Sequence, residues 1–170
     1  GKAMQTAVPK NEGGMVAVLG EEIKKIEKII EDNKNKFNCF IANDNSNGQV
    51  VISGKIQDLE KLISELKNLN IKNIKLPVSA PFHCILMSPA TNVMKEKLLN
   101  IKFSIPNNKI VSNVTGEPSK DPDTIKKLLI EQIEKTVRWR ESITNIMNLG
   151  NQKFIEIGPG KVLSGLVKRI

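Results

Sequence analysis

The sequence predicts a mixed α/β protein, with a compact βαββαβ unit over residues 14–78 followed by alternating strands and helices over residues 79–170. Three observations carry that expectation. Short runs rich in β-branched and aliphatic residues, at positions 15–19 and 49–53 among others, alternate with longer segments whose apolar residues recur at helical spacing. Two of those helical segments fall within the order strand, helix, strand, strand, helix, strand. Beyond Pro81 each recognisable strand is followed by a helical stretch, which is α/β layering.

Residues 15–19 form a short apolar strand that ends at Gly20. Residues 21–32 follow as a helix, with Ile23, Ile26, Ile29 and Ile30 on one face and acids in the first turn, where the helix dipole favours them. Residues 37–42 are a second strand. Residues 43–48 are dense in Asn, Asp, Ser and Gly and are expected as a turn, with a third strand at residues 49–53. Gly54 is expected to break that strand. A second amphipathic helix over residues 55–69 presents Leu59, Leu62, Ile63 and Leu66 on one face, and residues 71–78 close the unit as a fourth strand. Two helices on one face of an antiparallel four-stranded sheet is the ferredoxin-like, split βαβ arrangement, which hosts many functions and selects none.

Past Pro81, residues 88–101 are helical, with Pro89 in the first turn. Residues 109–114 read as a buried-type strand. Residues 121–135 are a helix entered through Asp121-Pro122-Asp123, and residues 142–149 make another. Residues 154–157 read as a strand running into Gly158-Pro159-Gly160, and residues 162–170 start a last helix. Two strong strands are too few for a covered parallel sheet, so this part reads as the tail of a larger α/β domain. The expected division is 1–13 as a helix end and linker, 14–78 as the ferredoxin-like unit, and 79–170 as the second part.

Composition narrows the function. The chain has 170 residues, 39% of them hydrophobic, and no run approaches the roughly 18 apolar residues that cross a membrane. A soluble protein is expected, with no membrane partner. The net charge is +8, yet only Arg138, Arg140 and Arg169 of the 26 basic residues are arginine. The lysines are scattered along helical faces among Asn and Ile, whereas nucleic-acid binding calls for clustered cations and stacking aromatics. No nucleic-acid partner is expected, and a weakly steering surface for an acidic partner remains open. Cys39 and Cys84 lie far apart with no C-x-x-C pair and no second histidine, so no metal site and no metal cofactor are expected.

The one histidine, His83, sits in Pro81-Phe82-His83-Cys84, followed by Ser88-Pro89-Ala90. A histidine on a short turn between a strand and a helix is placed to reach into a cleft as a general base. It then needs a nucleophile within hydrogen-bond reach and a group to hold its other ring nitrogen. No G-x-S-x-G elbow occurs in these residues, so His83 has no visible client. Gly158-Pro159-Gly160-Lys161 fails as a phosphate loop, because Ile155 and Val162 stand where glycine and Ser or Thr are needed. A strand-to-helix turn explains those glycines. Trp139 is expected as a core anchor, and Asn113, after an apolar strand, fits a turn role and a cleft role equally.

Taken in order, several segments resemble the malonyl-CoA:acyl-carrier-protein transacylases of type II fatty acid synthesis. They are residues 1–9, 45–54, 76–84 (which include His83), 111–115, 132–142 and 154–166. The resemblance implies an α/β-hydrolase-like large domain into which the ferredoxin-like unit is inserted, residues 79–170 being its C-terminal part. It implies a ping-pong transfer of malonyl from malonyl-CoA, through a malonyl-serine, to the phosphopantetheine thiol of acyl carrier protein. His83 matches the family's base, and the main-chain carbonyl of Arg138 is expected to orient its ring. Asn43, Asn45 and Asn113 are expected as secondary groups near the cleft on the substrate side.

The family's elbow serine, its oxyanion glutamine loop and its carboxylate-clamping arginine all precede the segment that matches Gly1. Position 138 is arginine where the family often has glutamine. The 170 residues alone are therefore expected to be inactive, and the complete enzyme is implied to be a monomer without cofactors. The alternative is a non-catalytic ferredoxin-like module binding an acidic carrier protein or nucleic acid. A domain cut from a multidomain synthase would need linker sequence that neither end shows. The Asn, Lys and Ile bias fits an AT-rich genome, leaving a plastid-type organelle and a bacterial cytoplasm both open.

Overall fold

The computed structural model describes residues 2–150 and 153–170. Gly1, which opens the first segment of the resemblance, lies outside the described residues, as do Asn151 and Gln152. A short helix α1 (Lys2–Thr6) leads through a turn into β1 (Gly13–Leu19), α2 (Ile23–Asp32), β2 (Cys39–Ser46), β3 (Gln49–Lys55), α3 (Ile56–Asn68) and β4 (Lys72–Lys75). The strands pair antiparallel in the order β2-β3-β1-β4, the ferredoxin-like order.

Side chains alternate across a strand, so the uninterrupted apolar run of β1 means that both faces of the sheet are covered. Val16 and Val18, with Val50 and Ile52 of β3, pack against Ile26 and Ile29 of α2 and Leu59, Leu62 and Leu66 of α3. On the opposite face Met15, Ala17, Ala42 and Val51 meet Leu76 and Phe82. This second cluster seats the segment carrying His83 on the back of the sheet.

Two expectations are corrected inside this unit. Asn43, Asp44, Asn45 and Ser46 do not turn; they continue β2, and a two-residue loop, Asn47-Gly48, makes the hairpin. Gly48 takes the left-handed conformation (φ +73°) that such tight hairpins need. Polar residues are tolerated in the strand because its outer edge is engaged by another segment and Asp44 is paired with Arg140. Gly54 does not break β3. It pairs with Gly14 on one side and Cys39 on the other, where a Cβ would lie 3.3 Å from the Asn38 carbonyl oxygen and the Cys39 sulfur.

The remaining elements are a 3-10 turn at Ile85–Met87, then α4 (Ser88–Leu99), β5 (Ile110–Val111), β6 (Pro118–Ser119), α5 (Pro122–Glu131), α6 (Trp139–Asn148) and α7 (Val162–Val167). Asp121 caps α5, its carboxylate accepting from Thr124 N at 2.8 Å. The strand expected at residues 109–114 shrinks to β5, paired only with β6 in a two-residue ladder, and Ile110 is exposed. Residues 154–157 are in no strand, and Ile155 and Ile157 are exposed. Both stretches have the composition of strands, but among the described residues no longer neighbour pairs with them, and strand propensity is realised only through such neighbours.

The two parts of the chain meet at the outer edge of β2. Val137 N donates to Ala42 O at 2.8 Å and Asp44 N donates to Val137 O at 2.9 Å, a parallel bridge opposite Asn43. Beside it, Arg140 donates through Nε and Nη2 to both Asp44 carboxylate oxygens at 2.7–3.1 Å. On β1, Pro81 is wedged against Gly13. A Cβ on Gly13 would lie 2.3 Å from Pro81 Cδ, so Gly13→Ala must displace the His83 segment. The expected loss of stability is about 2 kcal/mol, the scale of overpacking in a filled core, read from urea unfolding.

Candidate functional site

His83 follows a proline that is fully buried and precedes Cys84, which is 2% exposed. Cys84 donates its thiol proton to Pro81 O at 3.1 Å, and Met87 N donates to Cys84 O at 3.0 Å as the 3-10 turn begins. With Phe82 on the sheet, the residues on both sides of His83 are fixed. His83 itself sits at φ +59°, a left-handed conformation that costs a residue with a side chain about 1 kcal/mol. Asn11 and Asn70 also have positive φ, but asparagine adopts it readily. A bulky residue held there by its neighbours marks a position where direction matters more than local energy.

The direction is set by one hydrogen bond. His83 Nδ1 lies 3.0 Å from the main-chain oxygen of Gln132. A carbonyl only accepts, so Nδ1 carries the proton and Nε2 carries the lone pair. The side-chain amide of Gln132, 3.5 Å from the same nitrogen, also donates and cannot compete for a protonated Nδ1; it donates instead to Lys135 O at 3.1 Å. Burial pushes the His83 pKa below its ordinary 6.5, and the bond to Gln132 opposes this only in part. The imidazole is therefore neutral at pH 7, with Nε2 available as a base.

His83 opens onto a cleft of about 410 Å³, whose lining includes Cys39, Ile41, Cys84, Glu134 and Thr136. Neither thiol is a nucleophile for the histidine. Burial, with Asp58 nearby, drives the Cys39 pKa up to about 12, and burial also raises that of Cys84, so both stay protonated near neutrality. Among the described residues, no cluster of metal-ligating side chains exists and no helix is long and apolar enough to cross a membrane.

The carbonyl expected from Arg138 is the one at Gln132. Arg138 O is already taken at the start of α6, accepting from Ser142 N at 2.9 Å and Ser142 Oγ at 2.7 Å. Arg138 N in turn donates to Asn113 O at 2.8 Å, so Asn113 tethers that segment through its backbone. Asn43 lies at the bridge to Val137, and Asn45 lies two residues further along β2; neither they nor Asn113 line the His83 cleft. Gln132 carries no side-chain signal for its role. The usable signal was positional, since the last carbonyls of a helix lack intrahelical partners and Gln132 caps α5.

The Gly158–Gly160 loop is a turn capped from within. The Glu156 carboxylate accepts from Leu163 N at 3.1 Å, Ser164 N at 2.8 Å and Ser164 Oγ at 2.6 Å, occupying the place a phosphate would take. Those bonds, the Ser164 hydroxyl first, hold its pKa below the usual carboxylate range. Trp139 is half-buried and borders a small pocket with Phe154 and Leu163; its Nε1 is enclosed and finds no acceptor among the described residues.

A family model described as the acyl transferase domain matches residues 1–169. The chain belongs to the acyl transferase family. It is 39% identical over 171 residues to the malonyl CoA-acyl carrier protein transacylase of Salmonella typhimurium, covering 100% of this chain and 55% of that protein. The solved malonyl CoA-acyl carrier protein transacylase of Clostridium perfringens is 43% identical, with a TM-score of 0.94 over 99% of this chain and 54% of its own. A third solved structure, a type II PKS acyl-carrier protein in complex with its malonyl-transacylase, is 35% identical with a TM-score of 0.93 over 99% of this chain and 55% of that one. The chain thus spans about half the length of the acyl transferases it matches, and it shares their combination of a ferredoxin-like unit with a hydrolase-like α/β part.

The lowered pKa of His83 fixes the sign of a pH effect. The native state holds the ring neutral, so this stability is complete above the ordinary 6.5 and is lost as the pH falls toward the lower folded pKa. Urea midpoints measured at descending pH are expected to fall more for the wild type than for His83→Gln below pH 6.5, with little difference above it.

Proposed function

We propose that this chain is the histidine-bearing part of a malonyl-CoA:acyl-carrier-protein transacylase. The observation that carries the reading is the neutral His83 imidazole, protonated at Nδ1 toward the Gln132 carbonyl with Nε2 free above a cleft. In that form it can accept a proton from a hydroxyl nucleophile. No elbow serine occurs in the sequence, so the serine is proposed to lie outside residues 1–170.

The proposed reaction runs in two halves. His83 Nε2 takes the serine proton as the serine oxygen bonds to the malonyl thioester carbon, and the imidazolium returns that proton to the departing CoA sulfur. In the second half His83 deprotonates the phosphopantetheine thiol of acyl carrier protein, whose sulfur attacks the malonyl-serine ester. The imidazolium then reprotonates the serine oxygen. The Gln132 carbonyl stabilises the ring whenever it is charged, the role a carboxylate plays in serine proteases. No metal or cofactor enters either half.

Acyl carrier protein and malonyl-CoA are the proposed partners, supported by the relatives that transfer between them and by the complex of a related transacylase with its carrier. The reading as a ferredoxin-like binding module without chemistry draws no support from any of these relatives. Arg138, Asn43 and Asn113 contribute backbone to the joint beside the cleft, and we assign them support of the site; Asn45 receives no chemical role. Residues 14–78 and 79–170 are proposed as the two structural units that the joint brings together, with 1–13 as the lead-in.

The test is malonyl transfer to holo acyl carrier protein by the protein that carries these residues, compared with its His83→Ala variant. The expected loss in kcat is about a thousandfold, within what a positioned general base contributes. A variant within threefold of wild type contradicts the assignment.

A further inference from the structure

The Gln132 carbonyl is free because the turn after α5 does not rejoin the helix, and that has an identifiable cause. The helical series of backbone bonds reaches Gln132 N to Leu128 O at 2.9 Å; Ile133 N and Glu134 N then reach back only three residues, to Ile130 O at 3.4 Å and Glu131 O at 3.1 Å, and Lys135 N closes the turn on Glu131 O at 2.9 Å. The next bond in that series would run from Thr136 N to Gln132 O and would take the acceptor that His83 uses. Instead, the turn after α5 departs toward β2 at Thr136, whose hydroxyl donates to Ile41 O at 2.7 Å. Val137, the next residue, forms the parallel bridge to the same strand. Thr136 is half-buried and lines the His83 cleft, and its branched Cβ favours the extended conformation found there.

We propose that Thr136 is a positioning residue for His83: its hydrogen bond to the Ile41 carbonyl keeps the turn after α5 from rejoining the helix and leaves the Gln132 carbonyl to fix the imidazole. The chain of contacts runs from Ile41 to Thr136, back along the turn that the Gln132 amide closes on Lys135 O, and from the Gln132 carbonyl to Nδ1. Without the Thr136 anchor the turn can add a helical residue. The Gln132 carbonyl would then be shared with an amide, and its hold on the ring nitrogen that selects the tautomer would weaken. The inference rests on His83 acting as the base in the proposed function, and it adds a residue whose loss would change that base without removing it.

The test uses the protein that carries these residues, labelled with nitrogen-15 histidine, with His83→Gln identifying the His83 signals. Nitrogen NMR at neutral pH reads which ring nitrogen holds the proton. The wild type is expected to hold it on Nδ1. In Thr136→Val, which keeps the shape and loses the donor, the Nε2-protonated form that free imidazole prefers is expected to appear. With it, kcat for malonyl transfer should fall roughly tenfold with KM within twofold, the scale of one lost hydrogen bond. Thr136→Ser, which keeps the donor, should restore both. If Thr136→Val does not fold, Thr136→Cys, a weaker donor, is expected to lie between Ser and wild type on one side and a full loss on the other.

Two failures are distinguishable. A wild type with Nδ1 protonated, beside a folded Val or Cys variant with the same tautomer and kcat, overturns the role of Thr136 alone. A wild type protonated on Nε2 overturns the assignment of His83 as base, and this inference falls with it.

Discussion

An unpaired strand edge leaves backbone N–H and C=O groups in need of partners, and in β2 that need is met by Val137. Two backbone bonds, the Thr136 hydroxyl and the Asp44–Arg140 pair all fall within five residues of one another on the joining segment. Asp44 is 6% exposed, so its charge must be matched, and Arg140 matches it through both carboxylate oxygens. The same pairing draws the arginine upward in pKa, the hydrogen bond to Asp44 being the main cause. Removing one partner would leave a buried charge uncompensated, so the joint holds its geometry tightly.

What the joint holds is the end of α5, and the end of α5 is where the histidine finds its partner. His83 comes from the other side of the cleft, carried by a segment whose own position is set by Pro81 against Gly13 and Phe82 against the sheet. The two halves of one hydrogen bond, donor and acceptor, therefore descend from different strands of the β-sheet, β1 and β2. The left-handed backbone at His83 is the local energetic penalty for aiming the ring across that gap.

Much of this was legible in the letters. The apolar run at β1 with amphipathic helices on either side of the hairpin announced the four-stranded unit, and the lone histidine on a proline turn marked the candidate site. The hairpin differs from the expected turn although its signal is present: Asn47-Gly48 is the two-residue loop that tight hairpins favour, and the polar residues before it belong to a strand whose outer-edge partners, Val137 and Arg140, are distant in sequence. The Gln132 carbonyl was hidden for a different reason. A backbone acceptor has no residue type to recognise, and the resemblance implied Arg138, six positions on, instead. Residues 109–114 and 154–157 carry strand composition, yet among the described residues the first finds a ladder of two residues and the second none, and one sequence segment does not reveal whether its neighbours pair with it.

The proposed activation of a hydroxyl by His83 has its direct readout in the covalent malonyl intermediate. The protein that carries these residues is exposed briefly to malonyl-CoA, quenched in acid and mapped by peptide mass spectrometry, beside its His83→Ala variant. One malonyl group on a serine outside residues 1–170 is expected, formed at least about a hundredfold more slowly in the variant. Malonyl found within residues 1–170, on Cys39 or Cys84 for instance, or serine labelling at the same rate without His83, would contradict it.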